Sequence, residues 1–429
     1  MYHRKRASWL NCAPGTPEAP PRILRVVVLA PSYPPAVGGQ EIHLQELSES
    51  LIAAGVGVQV IAAAQDLPAV GYVDSVPVVR LATFGPTQGA GWRSIPWVAL
   101  LLSRVIWRLL RHARRYDVVL VSGFNIMPLA PVVAGMLTRK PCVVRPESPL
   151  ELKHAVGEAS RSSMGLPHDS LLLRTLTRLR RKVAERVDRY IAISDEIRSK
   201  LIAQGIDPAR IVGISNGINM EKFVPASPQV RARLRGALRL PGDGLLLIYT
   251  GRLAVSKGVM LLMDVWGAVA QRHPDAHLLL VGTGAGSLDD CESEVRGYVQ
   301  AHGLEHRVTF AGNVDNVEQH LQASDIFVFP SFYEGFGLSI LEAMAVGLPM
   351  VCTRVGVAAD IAAETDVSLL VAPQDRTQFE ESLERLLGDA KLRTLLGIRA
   401  RAAVQDVFSM SVVARHHAEL FEELASECP

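Results

Sequence analysis

Short apolar runs with little polar interruption recur along this chain, spaced so that a helix fits between neighbours. In the first half they are ILRVVVLA (23–30), GVQVIAA (57–63), DVVLV (117–121), PCVV (141–144), RYIAI (189–193) and IVGI (211–214). In the second half they are LLLIYT (245–250), HLLLV (277–281), VTFA (308–311), IFVF (326–329), MVCT (350–353) and SLLV (368–371). Runs that do not alternate are the mark of parallel strands covered by helices on both faces. The text between them has helical spacing at 40–53, 94–115, 127–137, 171–187, 195–203, 338–345 and 411–425. The fold class expected is therefore α/β, with doubly wound parallel sheets.

Pro225, Pro228, Pro241, Gly242 and Gly244 punctuate residues 225–244, after which the strand-helix pattern restarts. Two domains are expected, 22–224 and 245–410, joined by a linker at 225–244, in keeping with a length of 429 residues. Two such domains place a cleft between the carboxyl edges of their sheets, where ligands bind. Residues 1–21 carry a basic cluster and a Pro/Ala-rich run without an apolar stretch of signal length, and are read as a flexible tail.

The helix at 94–115 is amphipathic: its apolar run at 95–102 is too short to span a bilayer, and Arg104, Arg108 and Arg111 interrupt the remainder. Trp97 and Trp107 beside these arginines could place the helix at a lipid interface, and the plainer alternative, a core helix with a solvated arginine face, is the one favoured. Charge sharpens this picture. The net charge is +2, yet residues 1–225 hold 28 Lys+Arg against 17 Asp+Glu, and the rest of the chain 17 against 26. A basic first half is expected to meet something anionic; nucleic acid is set aside, because no zinc spacing or RNA-binding signature accompanies the charge. The five cysteines are scattered and unpaired in spacing, as in a reduced, cytoplasmic protein.

Candidate chemistry collects after two strands of the second domain. Residues 325–349, DIFVFPSFYEGFGLSILEAMAVGLP, read as strand, glycine turn and helix, an arrangement that aims free N–H groups at an anion above the sheet's carboxyl edge. Glu334 and Glu342 frame that turn. Gly251-Arg252 and Lys257-Gly258 follow the strand at 245–250, and the two cations, five residues apart across a loop, suit a diphosphate. No two Asp lie two apart, so an Asp-x-Asp metal site is missing, and no metal ligands are expected. Val281-Gly-Thr-Gly-Ala-Gly286 lacks the glycine spacing of a dinucleotide fingerprint, and neither Ser122 nor Ser331 sits in a G-x-S-x-G elbow, which argues against redox and hydrolase chemistry.

These residues resemble those of a known family. Glu334-Gly335-Phe336-Gly337 with Glu342 matches the Glu-x(7)-Glu motif of retaining glycosyltransferases of family 4, which have the GT-B fold of two Rossmann-like domains facing a central cleft. The flanking ASDIFVFPS and EAMAVGLP, the Gly251-Arg252 and Lys257-Gly258 pair, the Pro-rich loop ending in Gly38-Gly39 and the Asn216-Gly217 turn extend the resemblance over about residues 22–420. The resemblance implies that Glu334 and the backbone of Gly335, Phe336 and Gly337 hold the donor sugar. It implies further that Leu338 N–H lies near the phosphates and that Glu342 accepts from the ribose hydroxyls. Arg252 and Lys257 would stabilise the departing diphosphate, with Gly251 beside them and Gly38 and Gly39 approaching from the first domain. Gly312, Asn313 and Val314 would meet the base largely through main chain, and the last helix, about 411–426, would cross back onto the first domain. The reaction implied is front-face glycosyl transfer from a nucleotide diphosphate sugar, with no further cofactor.

One place departs from the family pattern. Where many members carry a His after the strand at 141–144, this chain reads Arg145-Pro146-Glu147-Ser148. Arg145 and Glu147 suit acceptor binding or pairing with each other, and His154, in the irregular stretch 148–170, is a further candidate on the acceptor side. His43 is read as a helix residue facing neighbouring strands. The basic half and the Trp/Arg helix point to a carbohydrate or lipid-linked acceptor and to peripheral contact with the inner face of a membrane. A phosphorylase or synthase of the same fold, and a catalytically idle nucleotide-sugar-binding subunit, are the competing readings.

Overall fold

The computed structural model describes residues 23–35, 38–64, 70–82, 95–123, 127–148, 178, 181–285, 289–362 and 367–427. The tail at 1–21, His154, nearly all of the stretch 148–170 and much of the helix expected at 171–187 lie outside the described residues. The chain divides into two compact units, Met1–Gly217 with Met410–Pro429, and Ile218–Ser409.

The first unit contains the strands β1 (Arg25–Ala30), β2 (Gly57–Ala64), β3 (Val70–Val73), β4 (Val76–Ala82), β5 (Val118–Ser122), β6 (Cys142–Arg145), β7 (Arg189–Ala192) and β8 (Ile211–Gly213). They form one sheet in the order β3-β4-β2-β1-β5-β6-β7-β8. Val28 stands opposite Val60 on one side and Leu120 on the other, inside the parallel part. Burial on both faces explains why β1 is apolar without alternation: Val26 to Ala30 are at most 1% exposed. The antiparallel pair β3 and β4 has no counterpart among the expected strands. Its first strand is four residues long, interrupted by Gly71 and half exposed in alternation, and Asp74 turns it with φ 48°. Helices Gly39–Ala53 and Met410–Glu427 pack against each other in this unit. No helix among the described residues is long and apolar enough to cross a membrane.

The second unit holds β9 (Leu246–Thr250), β10 (His277–Val281), β11 (Val308–Gly312), β12 (Ile326–Phe329), β13 (Met350–Thr353) and β14 (Leu369–Val371), all parallel, in the order β11-β10-β9-β12-β13-β14. Residues 225–244, expected as a linker, instead carry the helix Pro228–Ala237 and belong to this unit. Ser227 accepts from Val230 N at the start of that helix, and Pro228 begins it. Arg235 then anchors it: Nε donates to Ala323 O at 2.9 Å, Nη1 to Gly244 O at 3.0 Å and Nη2 to Asp325 Oδ2 at 2.5 Å. Asp325 also accepts from Leu246 N at 2.8 Å, so one buried guanidinium joins the segment to the starts of β9 and β12. The prolines and glycines marked a boundary, and the single arginine decides on which side it falls.

Candidate functional site

The carboxyl edge of the second unit's sheet is built from glycine turns in backbone contact. Gly251 N donates to Val281 O at 2.9 Å, and Gly282 N to Gly312 O at 2.8 Å. Gly282 has φ 127°, and a Cβ there would lie 2.0 Å from Gly251 O, so only glycine permits this approach. The ends of β9, β10 and β11 are thereby locked together.

On the other side of β9, the turn Val255–Lys257 leads through Gly258, with φ 67°, into the helix Val259–Arg272. A Cβ on Gly258 would meet Pro330 O at 2.0 Å, and Phe332 N donates to Ser256 O at 2.9 Å. The loop after β9 therefore lies directly on the segment that leaves β12. That segment is clamped from its far side as well, because Val357 N donates to Phe336 O at 2.7 Å and Gly356 leaves no room for a side chain against the same carbonyl.

These two clamps bring Lys257 Nζ to 2.6 Å from Glu334 Oε1, with side chains 16% and 9% exposed. Near Glu334 lies Tyr249, whose hydroxyl donates to Arg252 O at 2.7 Å. Burial, and then the nearby Glu334 carboxylate, push that hydroxyl's pKa far up, so it stays a neutral donor. Arg252 itself is exposed, as is Asn313, while Val314 is half-buried. Phe336 is buried, and Gly337, with φ 96°, opens the helix Leu338–Val346. Its first N–H groups, Leu338 among them, have no acceptor within the helix. Glu342 lies half-buried on the helix's second turn. Tyr249 and Gly356 escape sequence reasoning as site-building residues, the tyrosine because it reads as one more apolar strand position and the glycine because it acts through a contact with the distant Phe336 carbonyl.

In the first unit, Gly38 is the extended residue before the helix Gly39–Ala53, and Ile42 N donates to its carbonyl at 3.1 Å. Of the readings open for Arg145 and Glu147, mutual pairing is the one observed. Arg145 Nη1 lies 2.7 Å from Glu147 Oε1, with side chains 1% and 6% exposed. Ser122 Oγ donates to the same oxygen at 2.5 Å. Arg145 Nη2 donates to Asn216 Oδ1 and lies 3.1 Å from His43 Nδ1, while Gly217 N donates to His43 Nε2 at 3.0 Å. His43, on the first helix, thus faces neighbouring strand ends, and the Asn216-Gly217 turn is held by side chains from elsewhere in the unit. Burial first, and then the Arg145 charge, holds the His43 pKa well below the ordinary histidine value.

Two parallel-sheet α/β units, the second carrying a Glu-x(7)-Glu turn at its sheet edge, define a glycosyltransferase of the GT-B fold. A profile described as Glycosyltransferase Family 4 matches residues 37–222, and one described as Glycosyl transferases group 1 matches residues 244–389. The two together span most of the chain, which belongs to this family of glycosyltransferases. It is similar to a D-inositol 3-phosphate glycosyltransferase of Frankia alni, 28% identical over 88% of this chain and 92% of the relative. Among solved structures it is similar to sucrose-phosphate synthase of Thermosynechococcus elongatus, with TM-score 0.74 and 24% identity over 94% of this chain and all of that one. It is likewise similar to the Anabaena protein HepE in complex with UDP and glucose, with TM-score 0.72 and 21% identity over 93% and 99% of the two chains.

Proposed function

We propose that this chain transfers a sugar from a nucleotide diphosphate sugar to an acceptor hydroxyl, with retention and without a metal ion. The observation that carries the reading is the Lys257–Glu334 pair, a half-buried cation beside a buried carboxylate at the sheet edge where the helix Leu338–Val346 begins. Arg252 and Lys257 bind the diphosphate and stabilise its charge as it leaves. Glu334 and the backbone of Gly335 to Gly337 hold the sugar hydroxyls, Leu338 N–H meets a phosphate and Glu342 accepts from the ribose. Gly312, Asn313 and Val314 meet the base.

In the front-face reaction the acceptor oxygen bonds to the anomeric carbon on the face from which the diphosphate departs. The bond between that carbon and the phosphate oxygen breaks, and the acceptor's proton passes to the departing phosphate. No side-chain nucleophile is required, and Glu334 stabilises oxocarbenium character beside the anomeric carbon.

The acceptor is proposed to be lipid-linked and reached at the inner face of an anionic membrane. The outward stripe of the helix Ile95–Arg111 supports this. It carries Pro96, Ala99, Leu100, Ser103, Trp107 and Arg111, all exposed, with the Arg111 guanidinium 5.4 Å from the Trp107 ring. Residues 95–140 hold seven Lys+Arg against one Asp, a complement to anionic headgroups.

A thermal-shift screen of nucleoside diphosphates and their sugars, followed by transfer assays, tests the donor half. HepE's complex with UDP makes uridine nucleotides the first to try. A melting temperature that rises with one nucleotide sugar, together with an axial or equatorial product matching the donor's anomer, supports the proposal. An inverted product, or activity that depends on a divalent ion, overturns it.

A further inference from the structure

Resting on this donor-site reading, we infer that Glu334 discriminates nucleotide sugar from free nucleoside diphosphate by competing with the diphosphate for Lys257. The two side chains form one ion pair, Nζ to Oε1 at 2.6 Å, and both are largely withdrawn from solvent. Neither backbone can retreat. Gly258 abuts Pro330 O, Phe332 N is bonded to Ser256 O, and Phe336 O is held by Val357 N. With the backbones held, it is side-chain torsions that turn the ammonium from the carboxylate to a phosphate.

A diphosphate that draws Lys257 away therefore does two unfavourable things. It strips a mostly buried carboxylate of its cation, and it brings further negative charge next to that carboxylate. A sugar on the diphosphate offsets both, because its hydroxyls donate to Glu334 in charge-assisted hydrogen bonds and replace the lost ammonium. A free nucleoside diphosphate has no such donors. The same carboxylate thus favours the intact donor on entry and, once the sugar has left with the acceptor, reclaims Lys257 and loosens the product. Glu334 is on this account a residue for selectivity and product release as well as for holding the sugar.

The test is calorimetric titration of UDP and UDP-glucose, or of whichever nucleotide pair the thermal-shift screen selects, into wild type and Glu334→Gln. The amide keeps the shape, lacks the charge and pairs weakly with the lysine. Glu334→Gln is expected to bind the free diphosphate about tenfold more tightly and the nucleotide sugar less tightly, with product inhibition deepening in parallel. A residue that merely supports the loop would weaken both ligands together. If Glu334→Gln melts far below wild type, Glu334→Asp takes its place, with the same sign and a smaller change, since one methylene less loosens the pair while keeping the charge. An unchanged ratio of the two affinities in a variant that still binds overturns this inference and leaves the donor reading standing. A wild-type protein that binds no nucleoside diphosphate or nucleotide sugar overturns the donor reading, and the inference with it.

Discussion

His43 presents both ring nitrogens to donors: Nδ1 to the Arg145 guanidinium at 3.1 Å and Nε2 to Gly217 N at 3.0 Å. Because Nε2 accepts from Gly217 N, the proton of the neutral ring sits on Nδ1; a protonated ring would set a second N–H against the Gly217 N–H and a positive charge beside Arg145, so the neutral form is the one that fits. His417, on the helix Met410–Glu427 that packs on the same unit, is buried too, and burial with the Arg145 charge pushes its pKa down to about 3. For both groups the folded-state value lies below the unfolded value of about 6.5, so the unfolded chain binds protons that the folded chain refuses. Stability is then full above about pH 6.5 and falls on acidification, by about 1.4 kcal/mol per pH unit for each histidine. Chemical denaturation between pH 7.5 and 5 measures the slope, which His417→Phe should reduce.

Arg145→Met is expected to cost about 3–5 kcal/mol, because it leaves Glu147 as a buried charge without its cation. Glu147→Gln should cost less, since the amide oxygen still accepts from Ser122 and Arg145. Urea midpoints of the two variants give the comparison, and equal losses would contradict the pairing.

Gly258→Ala is expected to lower stability by about 2 kcal/mol or more, since it combines a left-handed backbone with a Cβ driven into Pro330 O. Because the same contact sets Lys257 opposite Glu334, donor affinity should fall along with the melting temperature. A variant with wild-type donor affinity would show that the loop's placement is irrelevant to binding.

Glu342→Ala and Lys257→Ala should each lose most transfer activity. Glu342 is half-buried on a helix surface, so its removal should leave the melting temperature within a few degrees of wild type; loss of nucleotide affinity, read by calorimetry, locates the defect in ribose binding. Wild-type turnover in either variant would sink the site assignment.

Trp107→Glu should reduce co-flotation with phosphatidylglycerol vesicles about tenfold while leaving transfer to a soluble acceptor analogue intact. Trp107 is 60% exposed, so folding should tolerate the change. Equal recovery of the wild-type protein with phosphatidylglycerol and phosphatidylcholine vesicles would remove the membrane from the proposal.

Much of this protein was determined by local sequence. Strands covered on both faces must be apolar throughout, so runs such as VVVLA and IFVF announce parallel sheets, and the Glu334-Gly-Phe-Gly turn with Glu342 announces the family. The hairpin β3–β4 and the helix Pro228–Ala237 stayed hidden, the one because its short edge strand is half exposed, the other because prolines and glycines at both ends read as a linker. What only the tertiary structure decided is which charges meet. Lys257 and Glu334 are 77 residues apart, and His43 and Arg145 are 102 apart. Local pattern carries no information about such pairs, since they exist only once separate strands have brought their ends to one sheet edge. Glu334 and Glu342 look alike in the sequence, and only the folded chain shows that the first of them lies 2.6 Å from the Lys257 ammonium.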